Sequence, residues 1–544
     1  MLQMEALTSL IVDPHVGMRT SLADILRQGG MTKIDYSVGA SDAIRALKIR
    51  TFDVVLCEYD LGDGQDGQQL LEDLRHNKLI SLSTIFIMVT AESDYEKVVS
   101  AAELAPTDYL LKPFAAYALL KRIARAFVQR HLFMPVYQLM ELGNLREAID
   151  ACIEGAANHA RYMVDFMRLR AELHVTLSEP HEAEQVYAQL LATRAVAWAR
   201  LGLAKTLFMQ GRFAEAEKGL QALIKENRKF LDAYDWLAKT HEARGQLESA
   251  KTVLQDAVIV SPHTIRRLRK LGAMALETGD IETAERSLRQ VVSKARYSDF
   301  RDPEDHTRLV QALLKKGDAE QASAVIRDLV KSMSGLNKTP VCHSLSCAMV
   351  YSHTGDDARA AQALGDAVSA CRDSIGMSSG LKIELLRSCL ESKLENGASE
   401  VMLDVMRNAP SGPIMEKAMR VFKQAGRSEM AKKLMQDARR QVIELVAAGA
   451  EKAKQGDYRG AVVLMKEAAG KLPDNPQIVF NAALAMLKCL DNLGWEDDLG
   501  QQARILVERA RLLDAANPRL VSLASMYQGI LKKYGIRPGR SDSD

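Results

Sequence analysis

The chain has 544 residues, too many for one core, so its length implies several domains or a repeat array. Its 72 Lys+Arg nearly cancel 70 Asp+Glu, and a net charge of +2 excludes a dedicated nucleic-acid binder. The seven cysteines, at 57, 152, 342, 347, 371, 389 and 489, are odd in number and scattered, which excludes a disulfide framework and fits a reducing cytosol.

Short apolar runs alternate with helical patterns over the first 125 residues. TSLIV (8–12) precedes the amphipathic MRTSLADILRQGG (18–30), which ends in a glycine pair suited to a helix C-cap. IDYSV (34–38) precedes SDAIRALKI, with Ser41 as the expected N-cap. VVLC (54–57) precedes DGQQLLEDLRHN, and TIFIMV (84–89) precedes SDYEKVVSAAEL. DYLL (108–111) precedes a helix from about Ala115. Five β–α units of this size predict a doubly wound, five-stranded parallel sheet. The carboxyl ends of such strands carry the working residues, and here they present Asp13, Glu58, Thr90 and Lys112-Pro113.

These motifs carry a family resemblance. LIVDPHVGMR, LCEYDLGDGQDG, MVTAES and YLLKPF make residues 6–128 resemble the receiver domain of two-component response regulators, a flavodoxin-like fold. The resemblance implies Asp13 as an acidic residue of a Mg²⁺ pocket, Glu58 at the phosphoacceptor position, Thr90 and Tyr109 as switch residues, and Lys112 as the phosphate-side cation. Two positions depart from the family. Pro14, followed by His15, stands where a second carboxylate is expected, and Glu58 is one methylene longer than the aspartate acceptor. Mg²⁺ prefers hard oxygen ligands in near-octahedral geometry, so a set reduced to Asp13, Glu58 and a rescuing Asp60 or Asp63 predicts weak or lost binding. In-line phosphoryl transfer depends on position and charge neutralisation, and both departures oppose it. The expected cofactor is therefore none.

The other 415 residues repeat. LFMQGRFAEAEKGL, HEARGQLESAKTVL and ALETGDIETAERSL place Gly211, Gly245 and Gly279 34 residues apart, and Ala216, Ala250 and Ala284 likewise. Glycine suits the turn between two helices and alanine a close helix crossing. This resembles the tetratricopeptide repeat and implies an all-α superhelical solenoid. The five-residue Gly/Ala offset recurs at 143/148, 317/322, 355/360, 426/431 and 456/461, and Ala183 marks a degenerate unit. The steps from 279 to 317 and from 317 to 355 are each 38, with inserts expected near 298–306 and 333–340. The divisions expected are a receiver over 1–129, a first solenoid segment over 130–375, an irregular hinge over 376–412, a second segment and cap over 413–536, and a disordered tail over 537–544. The stretch around 121–145 has no polar linker, so the receiver is expected to dock firmly, with Pro135 at the boundary. The receiver carries −4 and the remainder +6, a modest aid to that docking.

CHSLSC (342–347) offers too few converging ligands for a metal. Trp198, Trp236 and Trp495 fall in helical patterns and are expected in the core. Neither a phosphate loop nor a GxSxG or HExxH motif is present, so the chain is not expected to be an enzyme. No basic region precedes a long apolar run at the N-terminus, and no apolar stretch approaches the roughly 18–20 residues that span a bilayer, so a cytoplasmic protein without membrane insertion is expected.

A solenoid binds peptides, helices or domains, and a receiver is docked by a sensor histidine kinase or its phosphotransfer domain. The resemblance implies a regulator acting through such partners and other signalling proteins, with no nucleic acid involved. Three readings follow from it. One is a phosphorylation-independent regulator of a kinase or phosphorelay, and the residues at 14 and 58 favour this. The second is a phosphorylatable receiver whose solenoid grips effectors on activation. The third is a scaffold with a receiver as structural cap. The sequence leaves the oligomeric state open.

Overall fold

The computed structural model describes the chain except residues 1–3, 63–65, 78, 82, 91–106, 142–143, 194–195, 263, 296–300, 375, 409–411, 472–474, 515–516, 518 and 536–544. The expected helix SDYEKVVSAAEL, Asp63, Gly143 and the C-terminal tail therefore lie wholly or mostly outside the described residues. The chain forms two compact units, 1–301 and 302–544.

The first unit opens with strands β1 (Thr8–Val12), β2 (Lys33–Ser37), β3 (Val54–Cys57), β4 (Ile85–Thr90) and β5 (Asp108–Leu111) in the order β2-β1-β3-β4-β5, with all four pairings parallel. β3 and β4 are buried at every residue, as central strands covered on both faces must be. Side chains alternate between two cores. Leu10, Val12, Val55, Cys57, Phe86 and Met88 meet the helices α2 (Ala40–Ile49) and α3 (Gly67–His76). Ile11, Val54, Leu56, Ile85 and Ile87 meet α1 (Val16–Gln28) and α4 (Ala116–Glu141). α2 starts one residue before Ser41, with Gly39 as its N-cap, so the serine lies inside the first turn and not at the cap.

Pro135 does not end a helix: it lies within the 26-residue α4. An internal proline costs about 3 kcal/mol in an isolated helix. Here packing on both sides of it holds the helix together. Leu119, Ile123 and Ala126 belong to the sheet core. Phe133 and Val136 belong to a separate core with Ala148, Cys152, Phe166 and Leu173, in which Phe133 stacks on Phe166 at 4.0 Å. The expected division at 129/130 thus falls inside a helix shared by receiver and solenoid. Arg130 also reaches back, pairing with Asp53 at 2.8 Å.

Helix pairs follow, among them Ala197–Met209 with Phe213–Glu226, Leu231–Ala243 with Leu247–Val260, and Ile265–Thr278 with Ile281–Ala295. Gly211, Gly245 and Gly279 sit at φ +75°, +74° and +81°, a left-handed turn that other residues adopt only with strain. Ala216, Ala250 and Ala284 are fully buried where the paired helices cross. Trp198, Trp236 and Trp495 are only half-buried, which corrects their expected place in the core.

The second unit continues the pattern. Gly317, Gly355, Gly426 and Gly456 take the same turn, and Ala322, Ala360, Ala431 and Ala461 are buried. Residues 376–412 are not an irregular hinge. They carry the helices Ser379–Glu391 and Glu395–Asn408, joined at Lys393, 38 residues after Gly355, and Ala398 is buried five residues on. Leu385, Leu386, Cys389, Ala398 and Met402 join one core with Leu345, Leu364 and Phe422, so the pair is a regular repeat. The longer steps reside partly in longer helices: Thr339–Thr354 and Asp357–Asp373 have 16 and 17 residues, against 13 and 14 in Leu231–Ala243 and Leu247–Val260. Pro476–Leu493, Asp497–Leu513 and Arg519–Lys533 end the described fold. No helix among the described residues is long and apolar enough to cross a membrane.

Candidate functional site

The parallel ladder brings the predicted residues to one edge of the sheet. Glu58 N–H donates to Val12 O at 2.9 Å and Lys112 N–H to Thr90 O at 2.7 Å, so each residue continues its strand beside a neighbour. Asp13, Glu58 and Thr90 are buried, and the Lys112 side chain is 14% exposed. Lys112 Nζ donates to Glu58 Oε2 at 2.5 Å and to Asp13 Oδ2 at 3.2 Å. The remaining oxygens are also engaged. Asp13 Oδ1 accepts from His15 N–H at 2.8 Å, and Glu58 Oε1 accepts from Tyr59 N–H at 2.7 Å and more weakly from Asp60 N–H at 3.4 Å. Two carboxylates and one ammonium leave the cluster one charge negative, with the ammonium between the acids. Buried charges persist only when paired and hydrogen-bonded, and all three meet that condition.

Tyr109 lies in β5 opposite Met88 and is 8% exposed, packed in the core that holds Cys57, Leu61 and Met88. Sequence reasoning missed Gly67. A Cβ there would stand 2.3 Å from Glu58 O and 2.8 Å from Met88 Cε, so only glycine lets α3 start this close to the acceptor strand. The second glycine of GQDG was the available signal. The backbone donors on Glu58 have no signature in side-chain identity. Burial, and then the charges of Glu58, Asp66 and Asp13, push the Cys57 thiol far up, so it remains a neutral core group.

The receiver fold implies Mg²⁺ here, and this donor set does not fit it. Pro14 supplies no side-chain oxygen, and Lys112 Nζ is hydrogen-bonded to an oxygen of each acid that would face the ion. Asp60 is exposed and its Oδ1 accepts from Gly62 N–H at 2.9 Å, so the structure does not turn its carboxylate into the cluster. Among the described residues no group of three or more His, Cys, Asp or Glu side chains is arranged to hold a metal.

CHSLSC holds no ligand set either. Cys342 is buried, His343 Nε2 lies 3.5 Å from Cys347 Sγ, and burial raises both thiols, that of Cys342 to about 12.

Residues 9–124 match the family described as response regulator receiver domain, and residues 177–235 match the tetratricopeptide repeat. The chain carries a receiver domain followed by tetratricopeptide repeats. The receiver is 29% identical over 118 residues to the chemotaxis protein CheY-3 of Vibrio cholerae, covering 22% of this chain and 89% of the relative. It is equally similar, at 29% over 118 residues, to the chemotaxis protein CheY of Pseudomonas aeruginosa, covering 22% of this chain and 94% of that protein. Among solved structures, the BeF3-activated DrrB receiver domain is 24% identical with a TM-score of 0.20, covering 22% of this chain and 97% of that one. The C-terminal part of a tetratricopeptide-repeat protein from Cytophaga hutchinsonii is 16% identical with a TM-score of 0.35, covering 44% and 95%. Receiver and repeats together make the chain a signalling regulator with a protein-interaction region.

Proposed function

We propose that this regulator works without phosphoryl transfer, by protein–protein binding, and that it modulates a sensor histidine kinase or phosphorelay through its receiver and repeat surfaces. It is not an enzyme on this reading, and it works in the cytoplasm, where seven unpaired cysteines are at home. The observation that carries the reading is the Lys112 bridge between Glu58 and Asp13, beside a proline at position 14. The acceptor carboxylate is already held by the cation that would otherwise meet a phosphoryl oxygen, and a ligand of the metal is lost. The buried Tyr109 supports the companion idea that Glu58 holds the receiver in a state resembling the phosphorylated one.

The test is labelling by a small phosphodonor such as acetyl phosphate with Mg²⁺, read by intact mass and by label stability. The wild-type chain remains unlabelled, and the pair Glu58→Asp with Pro14→Asp acquires an acid-stable, alkali-labile phosphoryl group. Such a label on the wild type would overturn the reading in favour of a phosphorylatable receiver.

A further inference from the structure

One stripe of the helix Ala116–Glu141 serves two cores. Leu119, Ile123 and Ala126 pack in the sheet core and Phe133 and Val136 in the repeat core, and steps of three and four residues keep them on one face. Arg130 continues that spacing between Ala126 and Phe133, as the one charged residue of the series. Its side chain is 21% exposed, and its Nη1 donates to Asp53 Oδ1 at 2.8 Å. Asp53 Oδ2 accepts from Thr8 N–H at 2.9 Å and from the Thr8 hydroxyl at 3.0 Å. Thr8 and Asp53 stand at the amino ends of β1 and β3. Asp13 and Glu58 stand at the carboxyl ends of the same two strands, where Lys112 bridges them. Two clamps therefore hold one pair of strands, paired in register from Ser9 opposite Val54 to Val12 opposite Cys57. β3 is buried throughout and β1 at all but its first residue, and each has a hydrogen-bonded neighbour on both sides. At about 3.3 Å per residue the clamps lie about 16 Å apart. Close-packed interiors transmit displacement, so strands held in this way carry a shift from one end to the other.

We propose that Arg130 is a positioning residue that couples the carboxyl edge of the sheet to the first repeat. A change at Glu58, Asp13 and Lys112, such as a partner docking on that edge, shifts β1 and β3, moves Asp53, and through Arg130 resets the tilt at which Phe133 meets Phe166. The inference rests on the proposed function only in taking that edge as the working site. An apolar stripe alone tolerates small rotations, because dispersion contacts are not directional. A single polar group within it does not, since one placement satisfies its partner, as a lone polar residue fixes register in a coiled coil. The Arg130–Asp53 contact is charge-assisted and directional, and it lies between the two cores, where it sets the angle between them. Linkage makes the coupling reciprocal, so a ligand on the first repeat alters binding at the sheet edge by the same factor.

The test is amide hydrogen exchange on the full-length chain, arranged as a double-mutant cycle between positions 58 and 130. Glu58→Gln should speed exchange in the helices Leu145–Asn158 and Met163–Thr176 by about threefold relative to the remote helix Ile265–Thr278, a ratio that cancels any global loss of stability. In the Arg130→Gln background the same change at position 58 should leave that ratio unmoved. Arg130→Lys keeps the charge but not the fork, and should retain only part of the response. An arginine that merely stabilised the helix would give additive effects, with the full Glu58→Gln response in every background. That result overturns the inference, and so does an unchanged ratio in Glu58→Gln itself. If Arg130→Gln does not fold, Arg130→Lys decides: a reduced response supports the coupling and a full one removes it. Phosphodonor labelling is read separately, so a labelled wild-type chain would remove the phosphorylation-independent reading and leave the coupling standing, whereas additive exchange would remove the coupling alone.

Discussion

Ser178 and Lys393 stand at the same point of the repeat: each turns the chain left-handed, at φ +58° and +57°, five residues before an alanine that is fully buried. These are Ala183 and Ala398, and glycine fills the equivalent turn at 211, 245, 279, 317, 355, 426 and 456. A side chain in this region is strained by about 1–2 kcal/mol, offset in part by the greater freedom of an unfolded glycine. Lys393→Gly should therefore stabilise the chain by roughly 0.5–1 kcal/mol. Urea unfolding of the variant checks it, with a raised midpoint at unchanged slope as the expected result.

Ala250 packs among Ala238, Leu254, Leu271 and Met274. Ala250→Leu forces three extra carbons into that crossing and should cost about 1–3 kcal/mol. The melting temperature falls accordingly, while a leucine at the exposed Ile259 of the same helix should be nearly neutral.

Glu58→Gln keeps the length of the side chain and removes its charge, leaving Lys112 with Asp13 alone. Breaking a well-buried pair costs about 3–5 kcal/mol, and this one stands at the rim of the sheet, so a loss of about 1–3 kcal/mol is expected. Partner affinity should weaken as well if the carboxylate holds the receiver in its working state. Calorimetric melting gives the first quantity and a binding titration with a captured kinase partner the second.

Magnesium discriminates the acceptor sites. The wild-type chain should show no saturation below about 1 mM Mg²⁺, and Glu58→Asp with Pro14→Asp should gain it, because hard oxygen ligands are restored. Calorimetric titration of both chains reads the difference.

Asp53 ties the receiver to the shared helix and gives a pH signature. Burial opposes its ionisation, but hydrogen bonds from Thr8 N–H and from Arg130 outweigh this and hold its pKa below the usual 3.8. A depressed pKa stabilises the fold above the unfolded value and is lost as pH falls through the folded one. Asp53→Asn should thus cost about 1–2 kcal/mol near neutral pH, with the gap to wild type closing below about pH 4. Urea unfolding across that range checks the sign.

The receiver was legible because its central strands β3 and β4 are fully buried, largely apolar runs of four and six residues, and because spacing fixes which residue ends each strand. Asp13, Glu58, Thr90 and Lys112 followed from position alone. The hydrogen bonds that occupy Glu58 were not legible, since backbone donors look the same in every sequence. Lys393 escaped for a related reason. A search keyed to glycine cannot find a turn that lysine fills under strain, and the missing mark made a regular helix pair read as a hinge. Pro135 misled in the opposite direction. Its local preference is to end a helix, and Phe133 and Val136, packed on Phe166 and its neighbours, override it. Trp198 and Trp236 have the helical spacing of core residues, and periodicity does not separate a buried stripe from a half-buried one.

The helix Ala116–Glu141 sets an angular condition on the molecule. At 1.5 Å per residue its 26 residues form a rod of about 39 Å. A tilt of about five degrees at the receiver end displaces the far end by about 3 Å, with no flexible segment between to absorb it. Each residue also advances the helix by about 100°. Inserting one residue between Ala126 and Phe133 would rotate the face carrying Phe133 away from Phe166 by more than a quarter turn, whereas seven residues would restore its phase while lengthening the rod. Spacing along this segment is therefore constrained as rotation before it is constrained as distance.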